Sequence, residues 1–173
     1  MEESISAEEY GLLGFLLDYT ADPEGDYLVL QQETGNEFIM ENEEYFKTPE
    51  GDLEGVDAVM LGDFLLRNKR NYAYEPEKIK TEIPVKTVSS PELEKAFDGD
   101  GTSVTGWEAF YKKFPGSSGE TLVSRAGFNK TKTEAMICLF GMHDYLCAEG
   151  NLYIFKKENN NWELKDIVWL WTA

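Results

Sequence analysis

The chain has 173 residues, 42% of them hydrophobic and 13% aromatic, with 16 Lys+Arg against 33 Asp+Glu and a formal net charge of −17. A chain of this length buries roughly two-thirds of its unfolded surface, so a core needs no disulfide framework or structural metal, and the aromatic and β-branched runs argue against disorder. The charge excludes a non-specific nucleic-acid binder, since phosphate backbones are held by cations, and no window approaches the ~18 consecutive apolar residues of a membrane span.

Residues 6–20 read as a helix. Ser6 with Glu9 three positions on forms a capping-box pair, and Glu8 and Glu9 suit the positive end of the helix dipole. Tyr10, Leu13 and Leu17, with Phe15 and Leu16, give a broad apolar face. The early apolar stretch at residues 11–17 follows Glu2, Glu3, Glu8 and Glu9, whereas a secretory signal needs basic residues there. The chain therefore reads either as cytoplasmic or as the mature form of an exported protein behind an added Met1. Asp22-Pro23-Glu24-Gly25-Asp26 is a turn, residues 27–30 a short strand, and Thr34-Gly35-Asn36 a turn before Phe38-Ile39-Met40. Residues 41–54, interrupted by Pro49 and Gly51, read as a polar loop.

Residues 56–70 read as a second helix, with Val56, Val59, Met60 and Phe64 on helical spacing and Leu61 and Leu65 widening the stripe. Residues 71–80 form an irregular connection, and Pro84 demotes the alternating run 83–88 to an edge strand or strand start. Ser90-Pro91-Glu92 opens a short helix through Phe97, and residues 107–114 make another short helix or turn, ended by Pro115-Gly116. Beyond Glu120 the runs 122–128, 134–140, 152–157 and 162–171 are strand-like, with a hairpin turn at residues 158–161. The last run is apolar on both faces and reads as a central strand. Helices early and a meander late predict one α+β domain over residues 1–173. Its twisted antiparallel sheet, with a four-strand meander at residues 120–173, would pack against two longer helices.

The charge is not evenly spread. Residues 1–64 hold 18 acids and one base, Lys47, while the remainder holds 15 of each. Such segregation marks a strongly solvated face or a surface for a basic partner.

The C-terminal half carries a resemblance. Phe110-Tyr111-Lys112-Lys113-Phe114-Pro115-Gly116-Ser117-Ser118-Gly119 runs towards Ser124-Arg125-Ala126-Gly127-Phe128-Asn129, followed by Ala135, Leu146-Cys147, Gly150, residues 152–157, Asn161-Trp162 and Trp171-Thr172. This pattern resembles a family of uncharacterised, often exported bacterial proteins with FYxxYPGSxG…SRVGFN blocks, a glycine-rich C-G-x-L-C-G-x-G turn, a GKW hairpin and a terminal W-I-S. The upstream segment at residues 63–74 and the strand at residues 27–34 are similar to two further blocks of that family. The resemblance implies no activity. The first cysteine of the family's C-x-x-x-C turn falls on His143, and the acidic segment 41–54 is not part of the pattern.

Few residues carry a chemical signal. His143 is the single histidine and sits in Gly141-Met142-His143-Asp144, a β-turn by sequence, with Cys147 four residues on; a nucleophilic system would have to use it. Gly116-Ser117-Ser118-Gly119 lacks the G-x-S-x-G spacing of a nucleophile elbow. Asp98-Gly99-Asp100-Gly101-Thr102 resembles part of a calcium loop, but Ala96 and Trp107 then occupy the first and twelfth ligand positions and supply no oxygen. No phosphate loop, dinucleotide fingerprint or zinc ligand set is present, and neither a cofactor nor a metal is expected. Cys138 and Cys147 read as two buried thiols, or as a disulfide in an exported chain. Arg125 sits in an apolar stretch. It is either an ion-pair partner tying the meander to the helical layer or an anion anchor in a pocket.

These readings point to a non-enzymatic binding protein. Its candidate residues are Asp22, Glu24, Asp26, Glu41, Glu43 and Glu44 for a basic protein partner, in the manner of an immunity protein. Arg125 and Trp107 are candidates for the alternative, a small-ligand or degenerate-enzyme pocket between sheet and helices. A structural role in an envelope is a third option. Oligomeric state is left open.

Overall fold

A computed structural model describes residues 4–173, so Glu2 and Glu3 of the acidic start lie outside the described residues. The elements in chain order are α1 (Ala7–Thr20), β1 (Tyr27–Gln31), α2 (Glu37–Glu41), α3 (Glu43–Lys47), α4 (Ala58–Arg67), β2 (Val85–Val88), α5 (Ser90–Ala96), α6 (Val104–Lys113), β3 (Ser117–Val123), β4 (Gly127–Phe128), β5 (Glu134–Asp144), β6 (Cys147–Glu158) and β7 (Asn161–Thr172). The fold is α+β, and its sheet has the order β2-β1-β3-β5-β6-β7, with the short β4 also paired to β5. Pairing is antiparallel from β3 to β7, and β1 runs parallel to both its neighbours.

Strand alternation divides the core between the two sheet faces. On one face Leu12, Leu13, Leu16 and Leu17 of α1, each fully buried, meet Leu28, Leu30, Val123, Ile137 and Phe155. Burying each leucine stabilises by about 1.5–3 kcal/mol. The predicted capping box starts this helix: Ser6 Oγ accepts from the Glu9 N–H, and Glu9 Oε2 accepts from the Ser6 N–H. On the other face Met136, Cys138, Phe140, Leu152 and Ile154 pack under Met60, Leu61 and Phe64 of α4, with Ile39 and Phe46 beside them. Further along that face Val29 and Val88 meet Leu93, Phe97, Trp107, Phe110 and Phe114 of α5 and α6. The two longest predicted helices therefore lie on opposite sides of the sheet.

Three local expectations are revised. The acidic segment 41–54 is not a loop throughout, because Phe46 and Leu53 are fully buried and draw α3 and a 3-10 turn onto α4. The run 122–128 is not one strand, because the chain breaks from the ladder at Ser124–Ala126 before β4. The last strand is an edge strand, with Ile167 42% and Trp169 60% exposed. A register shift opposite Gly150 and Asn151 turns Trp171 onto the Val168 side, which is why alternation alone misplaces it.

Candidate functional site

Arg125 is fully buried, and its neighbours explain why. Its Nε lies 3.1 Å from Glu9 Oε1 and its Nη2 2.6 Å from Glu9 Oε2, while the guanidinium carbon stands 4.4 Å from the Tyr72 ring centroid. Burial opposes the Arg125 charge, but hydrogen bonding and attraction from Glu9, with Tyr72, outweigh it and hold the group above the ordinary arginine value. Glu9 Oε2 also accepts from Arg67 Nη1 at 3.2 Å. The two sequence blocks noted above thus meet. Asp63 Oδ2 accepts from the Phe128 N–H at 2.8 Å, Asn68 Oδ1 from the Arg125 N–H at 2.9 Å, and Asn68 Nδ2 donates to the Arg125 carbonyl at 3.0 Å. Ser124 Oγ accepts from the Cys138 N–H and donates to the Arg125 carbonyl, and the buried Tyr74 hydroxyl donates to the Ser124 carbonyl. Arg125 Nη1 is buried without a hydrogen-bond partner among the described residues, while Nε and Nη2 are spent on other parts of the chain. Arg125 is an ion-pair clamp between α1 and the segment that joins β3 to β4.

Trp107 is likewise core. It packs against Phe97, Phe110 and Tyr111, and its indole N–H donates to the Gly101 carbonyl at 3.0 Å. The expected pocket beside Arg125 and Trp107 is therefore filled, and the two residues belong to separate clusters.

The acidic candidates are on the surface in two groups. Asp22, Glu24 and Asp26 are exposed in the turn before β1, where Asp22 Oδ1 accepts from the Glu24 N–H at 2.9 Å. Glu43 and Glu44 flank Lys47 on α3 at 3.9 and 2.5 Å, and exposed Glu41 ends α2. No three histidine, cysteine or acidic side chains form a metal cluster among the described residues.

Glu41 lines a cleft of about 360 Å³ where α2 and the start of α5 diverge above the sheet. Phe38, Phe140 and Trp171 supply its aromatic surface, Leu122 and Met142 its apolar floor, and Glu37 and Glu41 its acidic rim. Phe140 and Trp171 stack at 15° with centroids 6.3 Å apart, and Phe38 is tilted against both. Gly150 makes this possible, since a Cβ there would stand 2.6 Å from Trp171 Nε1 and 2.8 Å from Phe140 Cδ1. The indole Nε1 is buried without a hydrogen-bond partner. Glu120 projects from the same sheet face as Leu122, opposite Val29 and Met142. Burial pushes its carboxyl up to about 7. Sequence reasoning missed Glu37, Phe38, Trp171 and Glu120 because they come from three separate segments, α2, β3 and β7, which no local spacing links.

His143 points away from nucleophilic chemistry. It lies at the end of β5, not in a turn, and its Nδ1 sits 2.6 Å from the Ser118 carbonyl. Cys147 begins β6 and is exposed, Cys138 is buried, and both are free. Asp100 is held in a local turn, its Oδ1 accepting from the Thr102 N–H and hydroxyl, and these bonds lower its pKa. No family model, curated protein or solved structure matches this chain.

Proposed function

We propose that this chain is a binding protein that captures a basic protein partner through its acidic N-terminal third, seating one cationic side chain of that partner in the cleft beside α2. An immunity protein that neutralises a basic toxin is the kind of activity that fits. The single observation that carries the reading is the acidic rim of Glu37 and Glu41 over the aromatic surface of Phe38, Phe140 and Trp171. Carboxylates attract a cation at long range, and ring faces hold it once desolvated. The segment beyond the cleft adds exposed Glu44, Glu50, Asp52, Glu54 and Asp57 with only Lys47 to offset them. Complementary charge of this kind speeds encounter and enforces partner choice.

The test is a capture experiment from the source cell at low and high salt, repeated with Glu37→Gln/Glu41→Gln. The expected result is a basic protein that elutes with salt and is lost with the double variant. Absence of any salt-sensitive basic partner overturns the reading. A small molecule retained in the cleft by native mass spectrometry would favour a carrier instead, for which the cleft volume lies within the usual range.

A further inference from the structure

On the far side of the same sheet face lies a second, larger cleft of about 850 Å³, bounded by β2, α5 and α6. Its charge is opposite to that of the protein as a whole. Lys86 from β2, Lys95 from α5, and Lys112 and Lys113 from α6 line it, against Glu92 and Asp98. Lys47, Lys78, Lys156, Lys157 and Lys165 each pair with an acid, whereas none of these four does so among the described residues. Lys95, Lys112 and Lys113 sit in the last turns of their helices, where the dipole alone favours cations. That does not account for Lys86, which reaches from a strand to within 5.1 Å of the Phe114 ring centroid.

The strand beneath is the other half of the site. β2 is the sheet's edge, paired only with β1. The Pro84 carbonyl accepts from the Leu28 N–H of β1, and the Val88 carbonyl from the N–H of Gln32 just after it. In a parallel ladder the alternate residues then turn their backbone outward. Thr87, which lines the cleft, is one of them.

We propose that this cleft binds an extended acidic peptide segment, which adds to β2 as a further strand. Its backbone would pair with Thr87, and carboxylates at every second position would face Lys86, Lys95, Lys112 and Lys113. The intervening side chains would fall on the opposite sheet face beside Val85 and Ile83, which are only partly buried there. Strand addition supplies backbone affinity, and alternate side-chain pockets supply specificity.

The experiment is fluorescence anisotropy with the full chain and a fluorescein-labelled peptide, Glu-Val-Glu-Val-Glu-Val-Glu. A same-composition peptide with its glutamates in one block and an alternating peptide with methylated backbone nitrogens serve as controls. Both controls are expected to bind at least about fivefold more weakly, and Lys112→Glu/Lys113→Glu to weaken the parent peptide about tenfold or more. The methylated peptide probes the backbone pairing with the protein unaltered. Equal binding of the three peptides, or binding of tripolyphosphate with none of the peptides, overturns the proposal. So does no binding at millimolar peptide.

Discussion

Glu9 and Arg125 stand 116 positions apart in the chain and meet through two hydrogen bonds inside the protein, one at 2.6 Å. The carboxylate that completes the capping box of α1 is the same one that neutralises the buried guanidinium. The start of α1 and the break between β3 and β4 are therefore fixed by one side chain.

Removing one partner leaves the other charge buried and unpaired, which costs about 3–5 kcal/mol. Arg125→Met and Glu9→Gln are each expected to lose stability on that scale in urea unfolding. Arg125→Lys is not expected to rescue it, because a lysine cannot reproduce the forked pairing. The double variant Glu9→Gln/Arg125→Met should cost clearly less than the two single losses added. Additive losses would remove the coupling.

Glu120 predicts an unusual pH dependence. Its carboxyl is pushed up to about 7 from an ordinary 4.5, so the folded state holds its proton where the unfolded chain has released it. Its contribution is fully present below about pH 4.5, declines as pH rises, and is lost above about 7. Glu120→Gln should be more stable than the parent at pH 8 by about 1–2 kcal/mol after solvent screening, and the gain should shrink towards pH 5. A pH-independent difference between the two proteins would refute this.

Two glycines should respond in opposite directions to the same change. At Gly127 a Cβ would stand 2.5 Å from Phe64 Cα and 2.6 Å from its backbone nitrogen, and backbone cannot yield cheaply. Gly127→Ala is expected to separate α4 from β4 at a cost of about 2 kcal/mol or more. Gly62 is exposed on α4 with nothing within 4 Å of its would-be Cβ, so Gly62→Ala should stabilise by about 0.5–1 kcal/mol. Thermal melts of the pair check both signs.

The thiols should separate kinetically. Cys147 is exposed, while Cys138 is buried and burial pushes its thiol up. Titration with a thiol-specific chromophore should modify Cys147 at once and Cys138 only on unfolding. Rapid reaction of both in the folded protein would contradict the packing of β5.

Much of the frame is legible in the sequence because its signals are local. The capping box at Ser6 and Glu9 starts α1, the apolar stripe from Met60 to Leu65 marks α4, and the turn before Asn161 closes β6 onto β7. What escapes is non-local. Trp171 changes face through a shift in register opposite Gly150, which alternation cannot register. The aromatic cleft joins Phe38, Phe140 and Trp171, and the basic cleft joins Lys86 with Lys112. Arg125 announced a buried partner by its apolar surroundings, yet nothing near it in sequence named Glu9.

β1 lies between β2 and β3, parallel to both. On the ribosome it leaves the exit tunnel long before Ser117–Val123 has been made, so the leucines of α1 must wait for the sheet that covers them. During that interval the nascent chain displays sticky apolar surface beside a dense run of carboxylates. Like-charge repulsion between such segments would oppose contact between neighbouring nascent chains until the strands arrive.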